Sequence, residues 1–147
     1  MTRLESAKVS KLRVGKHSAN ELILNMPARP ESSPVLRTAL REFFAIHLRD
    51  PDRQADLLLA VGEATSNAIE HAYRGGEGDV RVGVFVDGIR VFVEVSDGGA
   101  WREGPSLDRG RGMDIMRSLV DSMLIEQTSR GTTVRLEISS ASAERTA

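Results

Sequence analysis

Residues Asp56 to Tyr73, DLLLAVGEATSNAIEHAY, restrict the fold more than any other stretch of this chain. At helical period Leu58, Val61, Thr65, Ala68 and Ala72 fall on one apolar-to-small stripe. Glu63, Asn67, Glu70 and His71 fall on a second, polar stripe. Side chains four residues apart on a helix are neighbours, so Glu63 and Asn67 stand side by side. A carboxylate beside an amide oxygen suits a hard cation, or a hydroxyl that must lose a proton. For the helix in isolation, a solvated polar face is the competing reading.

The period changes beyond this helix. Val80, Val82, Val84 and Val86 alternate with Arg81, Gly83, Phe85 and Asp87, and Ile89 to Ser96 alternates again. Asp87-Gly88 between them is a two-residue hairpin signal, so two antiparallel strands are expected. The valines are core positions rather than a cofactor box. Glu21 to Met26 reads as a strand stopped by Pro27 and Pro30. Ser32 or Ser33 before Pro34 opens a helix on Val35, Leu36, Leu40, Phe43, Phe44 and Leu48. Asp50-Pro51-Asp52 breaks it, and Asp50 or Asp52 can cap the next helix. Gly75, Gly76 and Gly78 end that helix.

A polar stretch from Ala100 to Arg109 holds Pro105 and the only tryptophan, Trp101. Gly110-Arg111-Gly112 then opens an amphipathic run through Met113, Ile115, Met116, Leu119 and Val120. Met123 to Gln127 and Thr132 to Ile138 read as two strands about a turn from Thr128 to Gly131. The expected order is β-α-α-β-β-loop-α-β-β: an α+β fold, a two-layer α/β sandwich whose mostly antiparallel sheet is covered on one face by helices. Residues 1–20 are polar and basic and read as a flexible tail or linker, 21–139 as the domain, and 140–147 as a disordered tail.

Composition narrows the function classes. A net charge of -1 gives no bulk attraction to nucleic acid or to an anionic membrane. The absence of cysteine excludes disulfides, thiolate metal sites and a cysteine nucleophile. No apolar run approaches the roughly 20 residues that span a bilayer, and no signal-peptide core is visible, so a cytoplasmic protein is expected.

Four features occur in order: Glu63-x-x-x-Asn67 on a helix, Asp97-x-Gly99 at a strand end, Gly110-x-Gly112 opening a helix, and Gly131-Thr132-Thr133 entering the last strand. Together they resemble the GHKL ATPase superfamily with its Bergerat-type ATP-binding fold. Glu63-Ala-Thr-Ser-Asn67-Ala-Ile-Glu-His71-Ala-Tyr73 and Arg109-Gly110-Arg111-Gly112-Met113-Asp-Ile-Met116 are similar to the N box and glycine box of the anti-sigma-factor serine/threonine kinases. The resemblance spans roughly Leu22 to Ile138. It departs from the wider superfamily at Ala100-Trp101-Arg102, where a further glycine and an aromatic are usual.

The resemblance implies ATP and Mg²⁺ as cofactors. Asn67 would hold the metal through its side-chain oxygen, with the triphosphate supplying other ligands. Glu63 would orient the attacking hydroxyl and accept its proton; a carboxylate is a weak base, so positioning must supply much of the rate. Asp97 would accept the adenine amino hydrogen, and Gly99 would allow the tight chain path past the base. Gly110 and Gly112 would let backbone N–H groups approach the phosphates, with Arg109 and Arg111 adding charge, unless these arginines are plain surface charges. Thr132 would reach the adenine edge, unless it is there for its strand propensity. His71 and Glu70 read first as helix-end charges, and His17 and His47 carry no signal.

The expected function is an ATP/Mg-dependent serine/threonine-protein kinase acting as an anti-sigma factor. It would bind a sigma factor of RNA polymerase and phosphorylate a serine of a STAS-domain antagonist in a partner-switching stress response. The alternative is a nucleotide-binding regulatory module, cut from a multidomain phosphatase-sensor protein, with little or no transfer activity. No direct nucleic-acid or membrane partner is expected. Relatives of this group often form homodimers through the first strand and helix, although Leu36, Phe43 and Phe44 fit a core equally well.

Overall fold

The alternating strands build one six-stranded sheet in the order β1-β2-β3-β4-β6-β5, with every neighbouring pair antiparallel. In this computed structural model residues 13–18, 20–73, 77–99 and 107–140 are described, with 13–18 and 107–112 as backbone only. The elements are β1 (Arg13–Ser18), β2 (Glu21–Pro27), α1 (Ser32–His47), α2 (Pro51–Asn67), a π-turn (Ala68–Ala72), β3 (Asp79–Asp87), β4 (Arg90–Asp97), α3 (Leu107–Leu119), β5 (Ser122–Thr128) and β6 (Gly131–Ser139). The α+β sandwich expected from the periodicities is the architecture observed.

One layer of helices covers one face of the sheet. α1 packs on α2 and β2, and α2 packs on β4, β6 and α3. The core lies between the layers. Leu22, Leu24 and Met26 of β2 meet Val80, Val82 and Val84 of β3, Val91, Val93 and Val95 of β4, and Val134, Leu136 and Ile138 of β6. The helices contribute Leu36, Leu40, Phe43 and Phe44 from α1 and Leu57, Ala60, Val61, Ala64 and Ala68 from the second helix. These α1 side chains are thus core within this chain. Small residues along α2 let its backbone approach the sheet closely, as Ala60, Val61 and Ala64 at 0% exposure show. Leu58, expected on the buried stripe, is only half-buried and Leu57 takes the inner position at that turn, while Val61, Thr65, Ala68 and Ala72 are buried as expected.

α2 is fixed at its start by two devices. Asp50 is its N-cap and accepts from the Asp52 backbone N–H at 2.9 Å, with Pro51 in the first turn. Arg53, 7% exposed, donates to the Ser139 carbonyl at 3.0 and 3.1 Å and to Asp121 Oδ2 at 2.8 Å. Asp121 Oδ2 also accepts the Ser139 N–H at 2.8 Å. The helix is therefore tied to the β5–β6 end of the sheet.

Several boundaries differ from the sequence reading. Arg13–Ser18, read as part of a tail, pair with β2 as an edge strand, with a bulge between Val14 and Lys16. An edge strand is held by backbone hydrogen bonds and tolerates charge, which is why its polar composition hid it. α1 has Glu31 rather than a serine as N-cap; Ser32 instead donates its hydroxyl to the Pro27 carbonyl at 2.7 Å. The β3–β4 loop is Gly88-Ile89, one residue later than expected, because Asp87 pairs with Arg90. Gly88 takes φ +65° at the first loop position, where a tight hairpin favours glycine. α3 begins at Leu107 rather than at Gly110. Ser106 in front of it and Asp108 in its first turn are the residue types that start helices. Residues 1–12, residues 141–147 of the expected 140–147 tail, the Gly75-Gly76 helix end and the stretch 100–106 with Trp101 lie outside the described residues.

Candidate functional site

The apolar rows of β4 and β6 end in polar residues at the same edge of the core. Asp97 continues the inward row of Val91, Val93 and Val95, and Thr132 continues that of Ile138, Leu136 and Val134. Asp97 and Thr132 are directly paired across β4 and β6, at 9% and 2% exposure. A carboxylate and a hydroxyl buried side by side form a small acceptor-rich wall facing the helical layer. Such groups are costly inside an apolar core unless they have partners, and here they stand at the end of the core rather than within it.

The chain around Asp97 is drawn in closely. Asp97 Oδ1 accepts the Gly99 N–H at 3.0 Å, the local turn that aspartate favours. The Ala72 carbonyl occupies the place that a Cβ on Gly99 would need, so only glycine fits there. Gly131, at φ +142°, lies against the Asp97 carbonyl in the same way. Two glycines of the sequence pattern thus permit backbone-to-backbone approach around one carboxylate.

Asn67 ends the regular part of α2. Its side chain is 5% exposed, and its amide Nδ2 has no hydrogen-bond partner in the structure. An unpaired buried amide costs about 1–3 kcal/mol, so the fold keeps a polar group here that it does not itself use. The π-turn Ala68–Ala72 follows at once, and such widenings of a helix are frequent at functional sites. Glu63, one turn earlier on the same face, is half-buried and makes no hydrogen bond or ion pair with a described residue. His71 lies 3.7 Å from Glu70 in a partly exposed contact at the helix end.

The amide of Asn67 suits a hard cation, since it can present its oxygen once its nitrogen has no partner to lose. Among the described residues no group of three histidine, cysteine, aspartate or glutamate side chains could hold a metal. A cation here would therefore need ligands from the substrate, as Mg²⁺ commonly takes from phosphates.

Asp97, Gly99 and Thr132 are thus gathered at one end of the sheet, with Ala72, at the end of the π-turn that follows Asn67, packed against Gly99. Arg109, Gly110, Arg111 and Gly112 lie in the first turns of α3, which packs on α2. The side chains of Arg109 and Arg111 lie outside the described atoms. Sequence reasoning assigned no role to Tyr73. Its hydroxyl accepts the Gly98 N–H at 2.7 Å and donates to the Asp79 carbonyl at 2.8 Å. The available signal was a lone tyrosine at a helix end, an apolar ring with one polar tip.

Residues 26–138 match the family described as the histidine kinase-like ATPase domain. The chain is 30% identical over 139 residues to the serine-protein kinase RsbW of Bacillus subtilis, covering 82% of this chain and 86% of that protein. It is 29% identical over 133 residues to the anti-sigma F factor of Geobacillus stearothermophilus, covering 80% and 91%. Among solved structures, the RsbU and RsbW domains of a Mycobacterium tuberculosis protein align with a TM-score of 0.67 at 26% identity. That alignment covers 81% of this chain and 32% of the larger one. A blue-light activated histidine kinase domain of Erythrobacter litoralis, 17% identical with a TM-score of 0.56, shares the fold.

Proposed function

We propose, since the chain belongs to the histidine kinase-like ATPase domain family, that it is an ATP-dependent serine-protein kinase acting as an anti-sigma factor. The observation that carries the reading is the buried, unpartnered amide of Asn67, one helical turn from Glu63 and on the element that abuts the Asp97 loop. A site that binds only a base would not need it. Curated relatives named as a serine-protein kinase and as an anti-sigma factor supply the class of reaction and of partner.

Asp97 accepts the amino hydrogen of adenine and so prefers it to guanine, whose corresponding group is a carbonyl that a carboxylate repels. Thr132 lines the same edge. Asn67 would hold Mg²⁺ through its side-chain oxygen, and the ion would supply charge compensation for the triphosphate. Gly110 and Gly112 bring backbone N–H groups near the phosphates, and Arg109 and Arg111 add cationic contacts. Glu63 orients the incoming serine hydroxyl and accepts its proton as the oxygen attacks the γ-phosphorus and ADP leaves.

The serine belongs to a STAS-type antagonist that competes with a sigma factor for this chain. Phosphorylation adds about two negative charges to that antagonist and releases it, leaving the chain free to hold the sigma factor. No helix among the described residues is long and apolar enough to cross a membrane; the action belongs in the cytoplasm, where sigma factors work.

The test is transfer of labelled γ-phosphate from ATP to serine-bearing STAS proteins by wild type and Glu63→Gln. The variant should keep ATP affinity and lose transfer by about 10²-fold or more. Undiminished transfer would remove Glu63 from the chemistry. ATP binding without transfer by the wild type would leave a nucleotide-binding regulatory module. The Mycobacterium tuberculosis relative, whose RsbW domain shares a chain with an RsbU domain, gives that second reading its footing.

A further inference from the structure

The geometry points to Tyr73 as a positioning residue that aims the base-reading carboxylate, an inference that rests on the ATP reading above. Three contacts run from the end of the second helix to Asp97. The Tyr73 hydroxyl accepts the Gly98 N–H at 2.7 Å. The Ala72 carbonyl packs into the space left by the missing Cβ of Gly99. The Gly99 N–H in turn donates to Asp97 Oδ1 at 3.0 Å. Both glycines that follow Asp97 are thus held by consecutive residues at the end of the π-turn.

The polarity of the tyrosine contact is fixed. A phenol has one proton, and Tyr73 gives it to the Asp79 carbonyl at 2.8 Å, at the start of β3. Its oxygen lone pair is then turned to the Gly98 N–H. Gly78 admits the ring to this position, since the ring lies where a Cβ on Gly78 would be. A single side chain therefore ties together the helix that carries Asn67, the first residues of β3 and the loop that carries Asp97. Removing the hydroxyl leaves the ring packed but frees the Gly98 amide, and with it one restraint on the direction of the Asp97 carboxylate.

Tyr73→Phe is the direct test, titrated calorimetrically with ATP in the presence of Mg²⁺ on the full chain, beside Asp97→Asn and the double variant. Tyr73→Phe should raise the Kd for ATP about five-fold, the effect of one hydrogen bond. In the Asp97→Asn background the same change should raise it by less than two-fold, since the carboxylate it aims is already gone. A tyrosine that only stabilises the fold would weaken both backgrounds equally. That outcome, or an unchanged Kd in Tyr73→Phe, overturns the proposal while leaving the nucleotide site in place. A wild type that does not bind ATP overturns the nucleotide reading and this inference with it.

A second measurement needs no substitution. Tyr73 is the only tyrosine of the chain, so a ¹³Cζ-tyrosine label gives one resonance that reports this hydroxyl. It should shift on saturation with ATP and keep its free position with GTP at the same concentration. An unmoved resonance under ATP saturation overturns the coupling.

Discussion

At the scale of single residues, the most informative group is Asn67. Most buried polar side chains earn their place by hydrogen bonding, and this one has an amide nitrogen with no partner. Truncating it should therefore cost the free protein little. Asn67→Ala is expected to change unfolding free energy by less than about 1 kcal/mol in urea melts while abolishing Mg²⁺-dependent ATP binding. A loss of several kcal/mol with binding intact would make Asn67 a structural residue. Glu63 and Asn67 could be picked out in the sequence because helical spacing alone makes them neighbours. The burial that separates a site from a solvated face could not, since it depends on what packs above α2.

At the scale of elements, α2 is held at both ends by side chains far away in sequence. Tyr73 clasps its far end to the Asp97 loop, and Arg53 ties its first turn to Asp121 and Ser139. The Arg53–Asp121 pair is 8% and 25% exposed on its two sides, so the aspartate keeps some solvent. Arg53→Ala should cost about 2 kcal/mol, below the range for fully buried pairs and above that of surface ones, as read by urea denaturation. A change under about 0.5 kcal/mol would show that the contact only decorates the surface. Ion pairs on the open face of the sheet are of the latter kind. Arg135 lies between Glu94 at 2.9 Å and Glu126 at 2.5 Å, and hydrogen bonding to Glu94 first, then to Glu126, raises its pKa above the usual arginine value. Arginine is charged at any working pH in either case, so no pH-dependent stability follows from it.

At the scale of the whole molecule, ligand binding and folding are linked. The proposed site draws on α2, β4, β6 and α3, elements that span most of the domain, so ATP should bind the folded chain and not the unfolded one. At a hundred times its Kd, ATP with Mg²⁺ then adds about 2.7 kcal/mol to stability. Thermal scans should show Tm rising by about 5–10 °C. GTP at equal concentration should raise it by much less. Equal shifts from both nucleotides would count against Asp97 as the base-reading group.

The sequence by itself determined the elements and their layering, because side-chain period is a local property: 3.6 along Asp56–Tyr73 and two along Val80–Ser96 leave little else for these stretches to become. It also carried the order of motifs, with Glu63, Asn67, Asp97 and the glycines, on which the family resemblance rests. Only the tertiary structure decided the rest, and in each case the reason is a contact made across distant parts of the chain. β1 exists because β2 offers it a backbone partner, not because its own residues favour a strand. Gly99 and Gly131 are required because other backbones press on them, Ala72 on the one and Asp97 on the other. Tyr73 acquires its role because β3 and β4 bring Asp79 and Gly98 to either side of one hydroxyl, a meeting that no local pattern records.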